Sequence, residues 1–142
     1  MKILLAIDDS KFSEAATQAV IAHHKLQGLE VRVLHAAEPP TLFTAPEMAE
    51  YIPPEESAEE AKALVAKTAG ALRSAGVNVT TAVVQGDPKS IILDEAKAWG
   101  ADLIVLGSHG RKGLEHFLVG SVSEAVLRHA HCSVEIVRLP RK

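Results

Sequence analysis

Apolar residues along this chain follow two rhythms: short unbroken runs of aliphatic and β-branched residues alternate with longer stretches where they recur every three or four positions. The first rhythm marks strands buried on both faces of a parallel sheet, and the second marks helices laid against it. Ile3 to Ile7 is an unbroken run stopped by Asp8-Asp9-Ser10, and predicts a central strand. A helix follows, with Phe12, Ala15, Ala16, Ala19, His23 and Leu26 at helical spacing and Gly28 as its stop. Glu30 to Ala37 predicts a second strand. Ser57 to Ala75 predicts a helix with Ala61, Leu64, Val65, Thr68 and Leu72 on one face, an acidic first turn, and Gly76 closing it. Val77 to Val84 reads as a third strand. Gly86-Asp87-Pro88 then supplies a turn, an N-cap and a first-turn proline for a helix bearing Ile91, Ile92, Ala96 and Trp99, which Gly100 ends. Leu103 to Leu106 is the fourth strand. Val122, Ala125, Val126 and His129 share one face of a fourth helix, and Ser133 to Leu139 is the last strand.

The alternation of five strands with helices predicts an α/β fold, a doubly wound open parallel sheet with helices on both faces and right-handed crossovers. In such sheets ligands bind beyond the C-terminal strand ends, where the strand order reverses. The alternation alone admits several doubly wound orders. One connection breaks the rhythm: residues 38 to 56 hold five of the seven prolines and form an irregular loop. Phe43, Met48 and Tyr51 give it apolar bulk, which suits either a flap over a ligand or a surface loop.

The chemistry concentrates after the fourth strand. Gly107, Gly110, Gly113 and Gly120 punctuate the stretch LGSHGRKGLEHFLVGSVS, and Gly120-Ser121 leads into the fourth helix. Glycines tolerate positive φ and let a ligand approach main-chain amides, while a helix start favours an anion. The order strand, glycine loop, helix start is therefore that of a phosphate site. The spacing is neither GxxxxGK[ST] nor GxGxxG, so it is not a P-loop or a dinucleotide fingerprint. A ligand-free reading also exists, in which Ser121 and Glu124 form a capping box and the glycines are turn residues.

Gly107, two residues, Gly110, nine residues, then Gly120-Ser121 closely resembles G-x2-G-x9-G-[ST], the nucleotide signature of the ATP-binding subgroup of the universal stress protein family. The opening ILLAIDDS and the stretch from Gly86 to Arg138 are similar to that family as well, so the resemblance covers residues 1–142 as a single domain. It implies a Rossmann-like sheet of order 3-2-1-4-5, akin to the adenine-nucleotide alpha-hydrolases, with Asp8 and Gly107 facing one crevice. It also implies that Asp8 lies near the adenosine, and that backbone around Ala36 and Ala37 lines the adenine site. Leu106, Gly107 and Gly110 would form the near side, and Gly120, Ser121, Val122 and Ser123 would hold the phosphates. Hydroxyls of Ser121 and Ser123 would add donors, and Asp8 would accept from ribose hydroxyls. Arg111 and Lys112 are further candidates for the terminal phosphates, or a solvated loop tip. For Asp8 and Asp9 the plain alternative is capping of the first helix. The implied ligand is ATP, or AMP or ADP, with Mg²⁺ carried through the phosphates and no metal site of protein side chains.

Composition narrows the class. With 142 residues, 47% hydrophobic, and a net charge of −3, the chain has no basic surplus for nucleic acid or a membrane surface. The single cysteine, Cys132, forms no internal disulfide and fits a reducing, cytoplasmic setting; no run resembles a signal segment or a membrane span. His129, His131 and Cys132 lack a zinc spacing, and His109 and His116 read as surface residues. No catalytic base or nucleophile stands out. The reading is a nucleotide-dependent stress-response module with an unknown protein partner; slow Mg²⁺-dependent ATP hydrolysis or nucleotidyl transfer, and a structural dimer binding no nucleotide, are its rivals. A receiver-type phosphoacceptor fails, because the middle and last strands end in HAAEPP, VVQGD and VRLPRK rather than in the required aspartate and lysine. The resemblance also implies a homodimer through Ser133 to Leu139, although Glu135 is a charge of the kind that discourages strand pairing.

Overall fold

The computed structural model describes residues 1–24, 28–37, 57–110 and 119–139. Five strands and four helices alternate: β1 (Lys2–Ile7), α1 (Lys11–His23), β2 (Glu30–Ala37), α2 (Ala58–Ser74), β3 (Asn78–Gln85), α3 (Pro88–Trp99), β4 (Leu103–Gly107), α4 (Ser121–His129) and β5 (Ser133–Val137). All strand pairs are parallel and the order is β3-β2-β1-β4-β5. This is the implied 3-2-1-4-5 arrangement, with its reversal between β1 and β4.

Side chains alternate across the sheet and build two cores. Ile3, Leu5, Ile7, Val31, Val33, Leu103 and Val105 meet Ala16 and Val20 of α1 and Val65, Ala69 and Leu72 of α2. On the other face Leu4, Ala6, Leu34, Ile104 and Leu106 meet Ile92 and Ala96 of α3 and Val126 of α4. β1 and β4 lie between both layers, which is why their sequences are unbroken apolar runs.

The helix ends follow local chemistry. Ser57 caps α2, Asp87 caps α3 with Pro88 in its first turn, and Gly100 closes α3 at φ +78°. α1 departs from expectation. It ends at His23, not near Gly28, and its buried stripe is Phe12, Ser13, Ala16, Thr17 and Val20, with His23 exposed and Leu26 outside the described residues. Ser13 and Thr17 are buried because their hydroxyls are satisfied locally: Ser13 Oγ donates to Asp8 Oδ1 at 2.9 Å, and Thr17 Oγ1 to the Ser13 carbonyl at 2.9 Å. His129, expected on the packed face of α4, is exposed; Val126 carries that contact. β5 is shorter than expected and ends at Val137. The proline-rich connection of residues 38 to 56, with Phe43, Met48 and Tyr51, lies outside the described residues.

Candidate functional site

The reversal of strand order sets the ends of β1 and β4 side by side, with the starts of α1 and α4 beyond them. β1 ends at Ile7, and Asp8 ties the turn into α1. Its Oδ1 accepts from the Ser10 amide at 2.9 Å and from Ser13 Oγ at 2.9 Å, while its own amide donates to Ser13 Oγ at 2.8 Å. Ser10, not Asp8 or Asp9, is the helix cap. The second carboxylate oxygen, Oδ2, lies 3.1 Å from where a side chain at Gly110 would begin. One oxygen thus secures the turn, and the other faces the glycine loop.

Three glycines of the motif serve close approach, and the expectation of positive φ is corrected. Among the described residues positive φ occurs at Gly28, Gly76, Gly86 and Gly100, and not at Gly107, Gly110 or Gly120. A Cβ on Gly107 would lie 2.6 Å from Phe12 Cβ and 2.8 Å from the Phe12 carbonyl. At Gly120 it would lie 3.2 Å from both His109 Cα and the Ser108 carbonyl oxygen, to which the Gly120 amide donates. Bare backbone lets α1, the loop and α4 converge.

The start of α4 also differs from the capping-box expectation. Gly120 is the N-cap, Ser121 is already helical, and among the described residues no side chain caps this end. Helix geometry leaves the first amides without carbonyl partners inside the helix. Ser123 is buried and its hydroxyl donates to the Gly107 carbonyl at 2.7 Å, so its proton laces α4 to the loop where a phosphate donor was expected.

Around these groups lies a cleft of about 570 Å³, inside the range of roughly 300–1,000 Å³ for small-molecule sites. Asp8, Ala36, Leu106, Gly107, Gly110, Gly120, Ser121, Val122 and Ser123 line it. Ala37 does not: it is buried and its carbonyl accepts from the Gly86 amide at 2.9 Å. Arg111, Lys112 and His116 lie outside the described residues. Ala6, Leu34, Ala36 and Ile92 give the cleft apolar lining, and the α4 start adds amide donors.

Polar lining residues that the sequence reading did not place in the site include Ser13, His35, Asp87, Lys89, His109 and Glu124. His109, expected at the surface, is 8% exposed. Its ring packs on Phe12 with centroids 5.1 Å apart, and its Nδ1 lies 3.0 Å from Ser108 Oγ. The available signal was its position between two motif glycines. His35 is buried with Nδ1 2.9 Å from the Ile7 carbonyl, so that nitrogen carries the proton. Among the described residues no group of three or more His, Cys, Asp or Glu is placed to hold a metal. Burial, with Asp102 nearby, raises the Cys132 thiol above its ordinary value.

Fold and cleft together define a doubly wound α/β protein whose cleft lies at the switch point of the sheet, bordered by the start of α4. The chain belongs to the universal stress protein family, whose description matches residues 1–138. A universal stress protein of Methanocaldococcus jannaschii is 32% identical over 142 residues, 99% of this chain and 84% of that one. Among solved structures, hypothetical protein MJ0577 superposes with a TM-score of 0.80 at 29% identity, over 99% of this chain and 97% of its own. A family member from Arabidopsis thaliana, solved with AMP bound, has a TM-score of 0.69 at 18% identity, covering 99% and 92%.

Proposed function

We propose that the cleft binds an adenine nucleotide, with ATP as the working ligand, and that occupancy changes how the protein engages a partner. The observation that carries this reading is the start of α4: uncapped by any described side chain and lining a cleft of nucleotide size. The donor set fits the ligand. Main-chain amides of Ser121, Val122 and Ser123 meet the phosphates, Asp8 Oδ2 accepts from ribose hydroxyls, and the apolar lining of Ala6, Leu34, Ala36 and Ile92 takes the base. The like-folded Arabidopsis protein holds AMP, which supports the nucleotide class. Mg²⁺ enters on the phosphates, as it commonly does. β5, at an edge of the sheet, is the proposed self-pairing surface of a homodimer. Among the described residues no helix is long and apolar enough to cross a membrane.

The test is calorimetric titration of ATP with Mg²⁺ into protein stripped by denaturation and refolding, with mass spectrometry of anything released. Saturable binding, lost by at least roughly tenfold in Gly110→Val, is the expected outcome, because valine methyls crowd Asp8 and fill the cleft. Absent binding heat in the wild type, with the fold intact by circular dichroism, would sink the reading.

A further inference from the structure

We infer that His24 permits self-pairing of the chain by drawing the Glu135 carboxylate off the open edge of β5 and toward the end of α1. The inference rests on the proposed pairing of β5 with a second copy and adds to it the residue that governs it. β5 reads Ser133-Val134-Glu135-Ile136-Val137, so a carboxylate is the one charge of the strand and stands at its centre. When a strand pairs antiparallel with an identical copy about a two-fold axis in full register, its central residue faces its own counterpart. Over Ser133–Val137 that residue is Glu135, with Val134 meeting the second copy's Ile136 on one side and the reverse on the other. Directly opposed residues of an antiparallel pair have Cβ atoms roughly 4.5–5.5 Å apart, and like charges there repel. β5 therefore pairs with itself only where each protomer takes up the charge of its own Glu135.

The end of α1 supplies the group that does so. Glu135 stands opposite Val105 in the β4–β5 register, and Val105 packs in one core with Ala16 and Val20 of α1. The Glu135 side chain accordingly leaves the sheet on the α1 face. His24 is the C-cap of that helix, its amide donating to the Val20 carbonyl at 3.1 Å. Its Nε2 lies 3.5 Å from Glu135 Oε2. Both atoms are shut off from water, and among the described residues neither has a hydrogen-bond partner. Two buried lone pairs face to face would be costly, so Nε2 carries the hydrogen of this pair and directs it at the carboxylate. A helix C-terminus carries partial negative charge, which makes the imidazole, and not the helix end, the group that holds Glu135 in place. His24 is thus a positioning residue: it acts on the edge through Glu135.

The dimer constant, read by sedimentation equilibrium, tests the coupling. His24→Ala weakens the wild-type dimer by roughly tenfold, because the lost contact counts twice in a symmetric pair. His24→Gln, which keeps a donor, retains most of the affinity. Glu135→Asp, whose shorter carboxylate falls away from Nε2 while keeping its charge, weakens the dimer with α1 untouched. Glu135→Gln removes the facing charges and dimerises at least as tightly as the wild type, and in that background His24→Ala changes the constant by less than about twofold. Added salt shrinks the His24→Ala defect, as repulsion between like charges requires. An equal loss from His24→Ala in both backgrounds, or no loss in either, overturns the inference. Cys132→Ser combined with Glu135→Cys reads the pairing itself, since cysteines facing across the two-fold oxidise to an interchain disulfide. That cross-link with no effect of His24→Ala overturns the inference and leaves β5 pairing standing. No cross-link, or a wild type monomeric at every concentration, overturns both.

Discussion

Glycine has opposite consequences at two positions in this molecule. Gly107 is pressed against Phe12, and a Cβ there would meet Phe12 Cβ and backbone at 2.6 to 2.8 Å, contacts that no rotamer change relieves. Gly70 lies exposed within α2, with nothing within 4 Å of an added Cβ. Gly107→Ala is therefore expected to destabilise by about 1–3 kcal/mol, the cost of overpacking. Gly70→Ala should stabilise by about 0.5–1 kcal/mol through the lower entropy of the unfolded chain. Urea denaturation of the two variants should move the midpoint in opposite directions. A fall for both would mean that helix α2 uses Gly70 for a contact not seen here.

At the scale of elements, α3 connects the two ends of the fold. Its first turn lines the cleft, and its last residue, Trp99, sits at the other end of the helix under two cations. The Arg32 guanidinium lies 4.7 Å from the Trp99 ring centroid and pairs with Glu95 at 2.9 Å, and Lys2 Nζ lies 5.4 Å from the same ring. Arg32→Ala removes the stacking and the ion pair together, the paired side chains being 26% and 24% exposed, and should cost about 1–2 kcal/mol. Because the cluster is remote from the helix start that borders the cleft, the proposed binding of MgATP should be unaffected. A calorimetric shift beyond about threefold would show that α3 moves as a lever between the two ends.

For the whole molecule, the proposed self-pairing turns on Glu135. It stands in edge strand β5, opposite Val105 in register, and its Oε2 lies 3.5 Å from His24 Nε2 at the end of α1. Both atoms are buried, and among the described residues neither has a hydrogen-bond partner. A carboxylate at the middle of an edge strand opposes pairing with a second copy. Glu135→Val should strengthen self-association through β5, read as a larger dimer fraction in analytical ultracentrifugation. Sedimentation identical to the wild type at every concentration would place any dimer contact elsewhere.

The alternation of runs and periodic stretches determined the order of elements, because a strand buried on both faces writes a continuous apolar segment and a one-sided helix writes a period. The spacing of Gly107, Gly110 and Gly120 likewise marked where the cleft would lie, since backbone close approach demands a missing side chain wherever it occurs. Tertiary structure decided the rest. The phase of α1 follows from Ser13 reaching Asp8, Gly120 displaces Ser121 as the cap because its amide docks on Ser108, and Ala37 turns from the cleft to meet Gly86. The burial of His109 depends on Phe12, a residue from another element nearly a hundred positions earlier. Such contacts are set by how whole elements dock, and local pattern along the chain carries no record of them.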